Sequence, residues 1–271
     1  MDSTGPCGGS GPGSNPGTPI EKMKNKILIS VIIFMLLILL TGCKLTEKTI
    51  EKVMEPAKVL EVIDGDTIRT EKETIRLLHV NAPEKGEKCY EEAKARLKEL
   101  VENKTVWLER DMQEKDKYNR SLRYVYLNLD QHSINQQLIG EGLAVTHIIL
   151  PNTKYRDVFL KTEENAIQNK TGCLWQNQSS FQGCIEIVEL AKCPEDYVVL
   201  RNICNSINLT GWILRDQGRS RYLFTGILAK NSTIKITRKG WKTNHECIWD
   251  DYSNTLYIFD NENRLVLRYH Y

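Results

Sequence analysis

The amino-acid sequence predicts a mainly β protein with helices, in which a small barrel is followed by a β-sandwich. Two features of the chain support this fold class. In the first half, strand-like segments with alternating apolar residues come before the helical segments, an order that favours a barrel with appended helices over repeating βαβ units. From Cys184 onward, short strand-like segments follow one another with turn residues between them, which is typical of a sandwich of about ninety residues.

The barrel domain is predicted to span residues 57–175. Alternating apolar residues and clusters of β-branched and aromatic residues predict its strands at 57–63, 67–69, Thr74–Val80, Thr105–Glu109 and Leu122–Leu127. Apolar residues at helical spacing, together with capping residues, predict helices in the same domain. They run from Tyr90 to Val101, from a Ser133 cap to Gly140, and from Tyr155 to about Gln168 with Asn152 or Thr153 as the cap.

The second domain is predicted to span residues 184–271, after a polar linker at 176–183. Its predicted strands are Ile185–Leu190, Tyr197–Arg201, Gly211–Leu214, Tyr222–Phe224, Thr233–Thr237, Thr255–Phe259 and Leu265–Leu267.

The N-terminal part of the chain has the features of a targeting segment. Residues 1–22 are mostly Gly, Ser, Pro and Thr, a low-complexity composition that cannot bury enough apolar surface to fold. Residues 23–43 combine two lysines, an apolar run of fourteen residues and a final Leu-Thr-Gly-Cys, which is typical of a signal peptide and short for a membrane-spanning helix. The ending resembles a lipoprotein signal with Cys43 as the lipidated residue; an uncleaved anchor or an ordinary secretory signal fits the same run. In each case the folded part, joined by a linker at 44–56, is expected outside the cytoplasm, associated with the cell envelope or secreted.

Six of the eight cysteines lie in the two predicted domains: Cys89, Cys173, Cys184, Cys193, Cys204 and Cys247. Their spacing shows no C-x(2–4)-C pair of the kind that binds zinc. An even number in an oxidising compartment favours disulfide bonds. We expect a bridge from Cys89 to Cys173 and pairing of the other four within the second domain, with buried free thiols as the alternative.

The charge of the chain does not by itself indicate a nucleic-acid-binding protein. Its 37 basic and 35 acidic residues give a net charge of only +2, without the basic surplus typical of such proteins. A nucleic-acid substrate would therefore have to be attracted by local arginines and a metal ion.

Three short segments contain the residue types that a phosphodiesterase site needs. They are Val62-Ile63-Asp64-Gly65-Asp66-Thr67, Arg76-Leu77-Leu78-His79-Val80-Asn81-Ala82-Pro83-Glu84, and Asp116-Lys117-Tyr118-Asn119-Arg120. Hydrolysis of a phosphodiester uses oxygen ligands for a metal, a group that orients water, and guanidinium groups that stabilise the developing charge.

In this order and spacing, the segments resemble the staphylococcal-nuclease (thermonuclease) family, and the resemblance covers the whole of 57–175. It implies an OB-fold, a five-stranded Greek-key barrel. It also implies calcium-dependent hydrolysis of DNA or RNA that cuts the 5′ P–O bond and leaves 3′-phosphate ends.

The resemblance implies a Ca²⁺ site formed by Asp66, Asn81 and the backbone carbonyl of Ala82. Asp66 alone would also fit a solvated turn residue, because Asp-Gly pairs are common in hairpins; Asp64 is expected to hold this turn through its side chain. The family usually has an aspartate at the position of Asn81. Since an amide oxygen brings no negative charge, we expect weaker calcium binding here.

The resemblance also implies the groups that act on the substrate. Glu84, after the fixed turn of a proline, would orient or deprotonate the attacking water, and its alternative is a charge on a Lys/Glu-rich loop. Arg76 and Arg120 would bind the phosphate, because a planar fork matches phosphate oxygens in a bidentate manner. Lys117 and Tyr118 match positions near the nucleotide.

Three other positions near these segments carry weaker expectations. Arg123 is expected to be a surface residue of a strand. His147 and Ile149 stand where the family tends to carry tyrosines that line the nucleotide pocket, so the base preference is left open.

The second domain resembles lamin-tail domains, which are immunoglobulin-like. The resemblance rests on Asn208-Leu209-Thr210-Gly211-Trp212-Ile213-Leu214-Arg215-Asp216, and on Trp249, the segment 256–260 and Leu265-Val266. No partner for this domain can be named from the sequence.

Three functions fit these features of the sequence. The first is an extracytoplasmic, membrane-tethered calcium-dependent nuclease. The second is an OB module that binds nucleic acid with little or no catalysis, which Asn81 favours. The third is an adhesion lipoprotein acting through the sandwich, for which removal of 184–271 would leave any hydrolysis intact.

Overall fold

The computed structural model describes residues 30–32, 35, 54–242, 247–249 and 254–271. Residues 30–32 and 35 are helical. Most of the predicted signal segment, including Cys43, and the linker as far as residue 53 lie outside the described residues. Among the residues that are described, no helix combines the length and the apolar character needed to cross a membrane.

The barrel domain contains seven described strands: β1 (Met54–Asp64), β2 (Thr67–Thr70), β3 (Thr74–Leu77), β4 (His79–Asn81), β5 (Thr105–Glu109), β6 (Ser121–Tyr126) and β7 (Val145–His147). Five of them close into a barrel in the order β1-β2-β3-β6-β5. This confirms the predicted five-stranded, OB-fold-like barrel. β1 begins at Met54, inside the segment predicted as a linker, because Met54 to Lys58 pair with β5.

The predicted strand Thr74–Val80 is in fact two strands. β3 pairs with β2 and β6 in the barrel, whereas β4 pairs with β7 outside it. The chain kinks at His79, whose φ of 62° lies in the left-handed region. Apolar residues continue through the kink, so the sequence pattern does not show it. The kink separates the barrel strand from the segment that carries Asn81 and Glu84.

Helices cover the barrel: α1 (Tyr90–Val101), α2 (Ile134–Gly140), α3 (Arg156–Gln168) and α4 (Gly172–Trp175). α1 has the predicted bounds, and α2 is capped as predicted, since the Ser133 hydroxyl accepts from the Gln136 N–H at 3.1 Å. The predicted cap of α3 is wrong. Asn152 is fully buried and hydrogen-bonds Gln113 instead, and Tyr155 occupies the cap position without a side-chain bond.

The described part of the second domain is wholly β, as predicted. Its strands are β8 (Ile185–Ala191), β9 (Tyr197–Asn202), β10 (Ile207–Asn208), β11 (Ile213–Asp216), β12 (Arg221–Leu223), β13 (Ile227–Leu228), β14 (Thr233–Thr237), β15 (Thr255–Phe259) and β16 (Leu265–His270). The sheets β12-β11-β15-β16 and β14-β9-β8 contribute to one apolar core that contains Trp212 and Trp249. Two sheets that share a core form a sandwich.

Three disulfides join the six cysteines. Cys89 pairs with Cys173, which confirms the expected bridge of the first domain. Cys184–Cys204 and Cys193–Cys247 lie within the second domain. The first bridge ties the start of α1, and with it the end of the loop that carries Glu84, to α4.

The barrel and the sandwich, predicted as separate domains, pack against each other, and the described elements from Met54 onward belong to one compact unit. An apolar cluster at the contact combines Val145, Ala166 and Trp175 of the barrel domain with Tyr257, Phe259 and Leu265 of the sandwich. The segment predicted as a linker is packed here as well: the Ser179 N–H donates to the Leu265 carbonyl at 3.2 Å.

Candidate active site

Asp66 and Arg76 form a buried ion pair beside the turn between β1 and β2. Asp66 Oδ2 is 2.9 Å from Arg76 Nη2, and both side chains are 9% exposed. They meet because Thr67 lies opposite Arg76 in the β2–β3 ladder. The same oxygen accepts from the Ala82 N–H at 3.0 Å, and Oδ1 accepts from the Thr67 hydroxyl at 3.0 Å. Burial lowers the pKa of Arg76, and Asp66 opposes that shift.

Asp64 holds the turn as the sequence predicts, because its Oδ1 accepts from the Asp66 N–H at 3.2 Å. Burial and the nearby Asp66 carboxylate raise the pKa of Asp64 to about 6. Gly65 between them is required by close packing: a Cβ there would lie 2.6 Å from the Cβ of Ala82 and 2.9 Å from that of Ala93. The turn is therefore pressed against the segment after β4 and against α1.

Arg120 reaches the same place from the loop before β6. The Asp116 carboxylate shapes this loop by accepting from Arg120 Nε at 2.7 Å and from the Tyr118 N–H at 2.9 Å. Burial acts to raise the pKa of Asp116, but the hydrogen bonds from Arg120 and Tyr118 together lower it. Arg120 Nη1 lies 3.4 Å from the Thr67 hydroxyl, which itself donates to Asp66. The structure thus brings Asp66, Arg76 and Arg120 together around Thr67.

Lys117 and Tyr118 lie on the outside of this loop. The Tyr118 ring is 69% exposed, with Lys117 Nζ at 5.2 Å and the Arg120 guanidinium at 5.4 Å from its centroid. An exposed ring flanked by cations is available to stack on a base.

Glu84 is an exposed residue that contacts the second domain. Its side chain is 68% exposed, and its Oε1 is 2.9 Å from Nη1 of Arg219, a residue of the hairpin that joins β11 to β12. Arg219 also approaches Glu87, at 3.4 Å. Sequence analysis missed Arg219, because only the tertiary structure places the second domain beside this loop.

Asn81 is also covered by the β11–β12 hairpin. Its Nδ2 donates to the Gln217 carbonyl at 2.7 Å, and Asn81 itself is buried. The Gln217 side chain continues the contact by accepting from the Ile148 N–H at 3.4 Å. The residue predicted as a metal ligand is therefore a contact between the domains.

Of the two positions where tyrosines were expected from the resemblance, His147 lies beside the same hairpin. A Cβ at Gly218 would lie 3.8 Å from His147 Nε2. Burial, with the nearby Arg76, lowers the pKa of His147 to about 3, so the ring is neutral. Ile149 is half-buried against the barrel core.

The expectation for Arg123 is wrong. Its side chain is only 4% exposed, and it donates to the carbonyls of Leu122 at 2.8 Å and Glu114 at 3.2 Å. Glu73 and Glu114 lie 3.7 Å from its Nη2. The guanidinium forms a structural link between β6 and its neighbours.

The oxygen atoms around Asp66 could bind a hard cation, in a site that offers few charged ligands. Asp64 and Asp66 place two carboxylates side by side, and the pKa of Asp64 is raised first by burial and then by the charge of Asp66. The amide of Asn81 gives its nitrogen to Gln217, so its oxygen stays available as a neutral ligand. No group of three or more His, Cys, Asp or Glu side chains suited to a metal occurs within the described ranges.

The fold and site define an OB-fold-like barrel protein with an acidic and basic centre suited to phosphate. Residues 74–177 match the family model "Staphylococcal nuclease homologue", and the chain belongs to this family. Thermonuclease from Staphylococcus hyicus is 35% identical over 130 residues, covering 44% of this chain and 75% of that protein.

Two relatives from Bacillus subtilis (strain 168) are longer. Endonuclease YncB is 39% identical over 141 residues, or 46% of this chain and 65% of that protein. The SPbeta prophage-derived endonuclease YokF is 38% identical over 141 residues, or 46% of this chain and 47% of its own length. The chain thus spans about two thirds of the first and about half of the second.

Proposed function

We propose that this protein is a nuclease that hydrolyses phosphodiester bonds of DNA or RNA. The observation that carries the proposal is the meeting of Arg76 and Arg120 around Thr67 and Asp66. Two guanidinium groups beside a carboxylate suit a phosphodiester that gains charge as it reacts. Membership of the staphylococcal nuclease family and relatives named as endonucleases and thermonuclease support it.

Each side chain has a defined task in this proposal. Arg76 is held rigidly by Asp66 and by carbonyls of its own strand region, so it presents a fixed positive charge to the phosphate. Arg120 is 30% exposed and can turn one nitrogen toward a second phosphate oxygen. A well-placed arginine contributes roughly 10³–10⁵ in rate to phosphoryl transfer. Glu84, exposed on its loop, orients the attacking water.

Calcium is the proposed cofactor, held by the carboxylate of Asp66, the amide oxygen of Asn81 and the backbone carbonyl of Ala82. When bound, it would neutralise charge on the phosphate and lower the pKa of a water molecule. With one carboxylate in this set, we expect weak binding.

We further propose that the enzyme acts outside the cytoplasm, tethered by a lipid on Cys43. Support comes from the lipoprotein-like signal at 23–43 and from the three disulfides of the described domains, which persist in oxidising compartments. The second domain is proposed to be a lamin-tail-like sandwich. In support, the Trp212 of its motif is 1% exposed and lies in the sandwich core.

A second function, nucleic-acid binding with little catalysis, is favoured by one observation. The β11–β12 hairpin already engages both Asn81 and Glu84. A barrel whose Asn81 and Glu84 stay engaged by the hairpin when the strand is bound would hold the strand without cutting it.

The proposal is tested by measuring how residues 44–271 hydrolyse denatured DNA and RNA, first with calcium and then with EDTA. Glu84→Gln and Arg120→Ala should each lose at least about 100-fold in rate, because both act on the reacting groups, while their unfolding midpoints stay near wild type. Glu91→Gln, an exposed carboxylate in the first turn of α1, is the control and should keep full activity. Wild-type rates in either site variant would contradict the assignment. Binding without cutting across millimolar calcium would favour the second function.

A further inference from the structure

A cleft of about 250 Å³ lies between the two domains, next to the loop that carries Glu84. Pro83, Glu87 and Lys88 of that loop form one wall. The β11–β12 hairpin forms the other wall with Arg215, Arg219 and Arg221. Arg219, which lines the cleft, lies 2.9 Å from Glu84, so the cleft adjoins the candidate active site.

The wall formed by the second domain is strongly basic, and the fold concentrates its charge. Arg215 and Arg221 are directly opposite each other in the β11–β12 ladder, so their side chains lie on the same face of the hairpin. Arg219 follows from the turn between the strands. With Lys88, the cleft has four basic lining residues. Arg219 is already paired with the carboxylates of Glu84 and Glu87, whereas no ion pair of the described residues includes Lys88, Arg215 or Arg221. This arrangement favours an anionic ligand.

Among the basic residues that line the cleft, Arg215 would gain most from an anionic ligand. Its Nε is buried and lacks a hydrogen-bond partner among the described residues. Its guanidinium lies 5.1 Å from the centroid of the Phe259 ring and 5.9 Å from that of Tyr257. Among the ion pairs of the described chain, none includes Arg215 or Arg221. Arg215 is half-buried, and the nearby carboxylates of Glu87 and Asp216 act on it without forming a hydrogen bond or an ion pair within the described residues. A phosphate in the cleft would give its guanidinium a direct anionic partner.

We propose that this interdomain arginine cleft, formed by Arg215, Arg219, Arg221 and Lys88, binds a phosphate of the nucleic-acid strand next to the scissile one. The inference rests on the proposed nuclease function. A strand whose scissile phosphate lies at Arg76 and Arg120 passes the Glu84 loop and enters the cleft. The second domain is then part of the substrate-binding site, and Arg219 stands at the border between the two phosphate positions.

Binding is measured first, in EDTA, so that cleavage plays no part. The protein is titrated into a fluorescent single-stranded oligonucleotide between about 50 and 200 mM salt. Arg221→Ala changes an exposed side chain and should leave the fold intact. Arg215→Gln removes the charge of a half-buried side chain and keeps most of its volume. Each should weaken binding about tenfold and reduce the slope of log K against log salt by about one. Arg201→Ala changes an arginine of the other sheet whose side chain is 43% exposed and paired with Glu186, and this control should bind as wild type.

Cleavage is measured second, on the oligonucleotide and on a mononucleotide p-nitrophenyl ester that has a single phosphodiester. For both cleft variants, the loss of kcat/KM on the oligonucleotide should exceed that on the ester by about tenfold, since only the longer substrate reaches the cleft. Wild-type affinity in both variants would overturn the proposal. Faster cleavage by Arg221→Ala would also overturn it, and would show that the hairpin blocks the site. If wild type cuts neither substrate, the nuclease proposal fails, while a binding loss confined to the cleft variants would still support the cleft.

Discussion

At the scale of single residues, Asn81 is a side chain whose amide matches a hydrogen-bond acceptor of the second domain. Its amide nitrogen donates to the Gln217 carbonyl at 2.7 Å in a buried place. An aspartate there would bring an acceptor to an acceptor and a charge to a buried place. From the sequence alone, Asn81 means that the metal site has one negative charge fewer. The contact with the hairpin gives a second physical reason for an amide at this position.

Asn81→Asp is therefore expected to have two opposing effects. The sequence predicts tighter calcium binding, because the site gains a carboxylate. The structure predicts that in EDTA the free energy of unfolding falls by about 1–3 kcal/mol, the cost of an unmatched buried polar group. Urea unfolding of both proteins in EDTA and then in millimolar calcium separates the effects. The difference in the free energy of unfolding between the variant and wild type should become smaller when calcium is added. Equal stability in EDTA would show that the bond to Gln217 does not exist.

At the scale of elements, the β11–β12 hairpin connects the second domain to the candidate site. Arg219 occupies the left-handed region with φ 74°, and the Arg219 N–H donates to the Asp216 carbonyl at 3.3 Å. This turn directs Gln217 to Asn81 and Arg219 to Glu84. Burial raises the pKa of Asp216, at the base of the turn, to about 7, although hydrogen bonds from Ser220 and the charge of Arg215 oppose the shift.

The raised pKa of Asp216 predicts a loss of stability as pH rises. A carboxyl whose folded pKa exceeds its unfolded value of 3.8 contributes fully below about pH 4 and loses that contribution as pH passes about 7. At 1.36 kcal/mol per pKa unit, the loss is at most about 4 kcal/mol. Urea midpoints of Asp216→Asn at pH 5 and pH 8 should lack this decrease. The exposed Asp130→Asn should keep the wild-type decrease, and a decrease of wild-type size in Asp216→Asn would refute the prediction.

At the scale of the whole molecule, one buried glutamate holds the two domains together. Glu163 of α3 is fully buried, and its Oε1 accepts from the Thr146 N–H at 3.1 Å and from the Tyr257 hydroxyl at 2.7 Å. Its Oε2 accepts from the Arg268 guanidinium at 3.0 and 2.8 Å. Tyr257 and Arg268 belong to the sandwich, so the charge of an α3 residue is satisfied only when the sandwich is in place.

Arg268→Ala should destabilise the whole protein by about 3–5 kcal/mol, because it leaves the Glu163 carboxylate buried without a cation. Adding Glu163→Gln to that variant should restore part of the loss, since the buried charge is then gone. Lys161→Ala removes an exposed ion pair with Glu164 on the same helix and should cost at most about 1 kcal/mol. Chemical unfolding of the four proteins measures these differences. A loss in Arg268→Ala no larger than that in Lys161→Ala would mean that Glu163 does not hold the domains together.

The contacts between the barrel and the second domain argue against the hypothesis that the two domains act independently. If the adhesion function held, removal of 184–271 would leave any hydrolysis intact. In the structure, that removal would take the partners away from Asn81, Glu84 and Glu163. It would also uncover Trp175, whose ring stacks on Tyr257 at 6.4 Å.

The sequence by itself determined what depends on local order. Alternation and helical spacing placed most strands and helices within a few residues, and the three motif segments identified Asp66, Arg76 and Arg120, which the fold brings together. The kink at His79, the burial of Arg123 and the contacts of Asn81 and Glu84 with the hairpin were decided by the tertiary structure. Periodicity reports which face of an element is apolar, but it contains no information about which distant hairpin covers that face. Arg215, Arg219 and Arg221 look like ordinary strand and turn residues until the domains pack, because only packing places their charges beside the site.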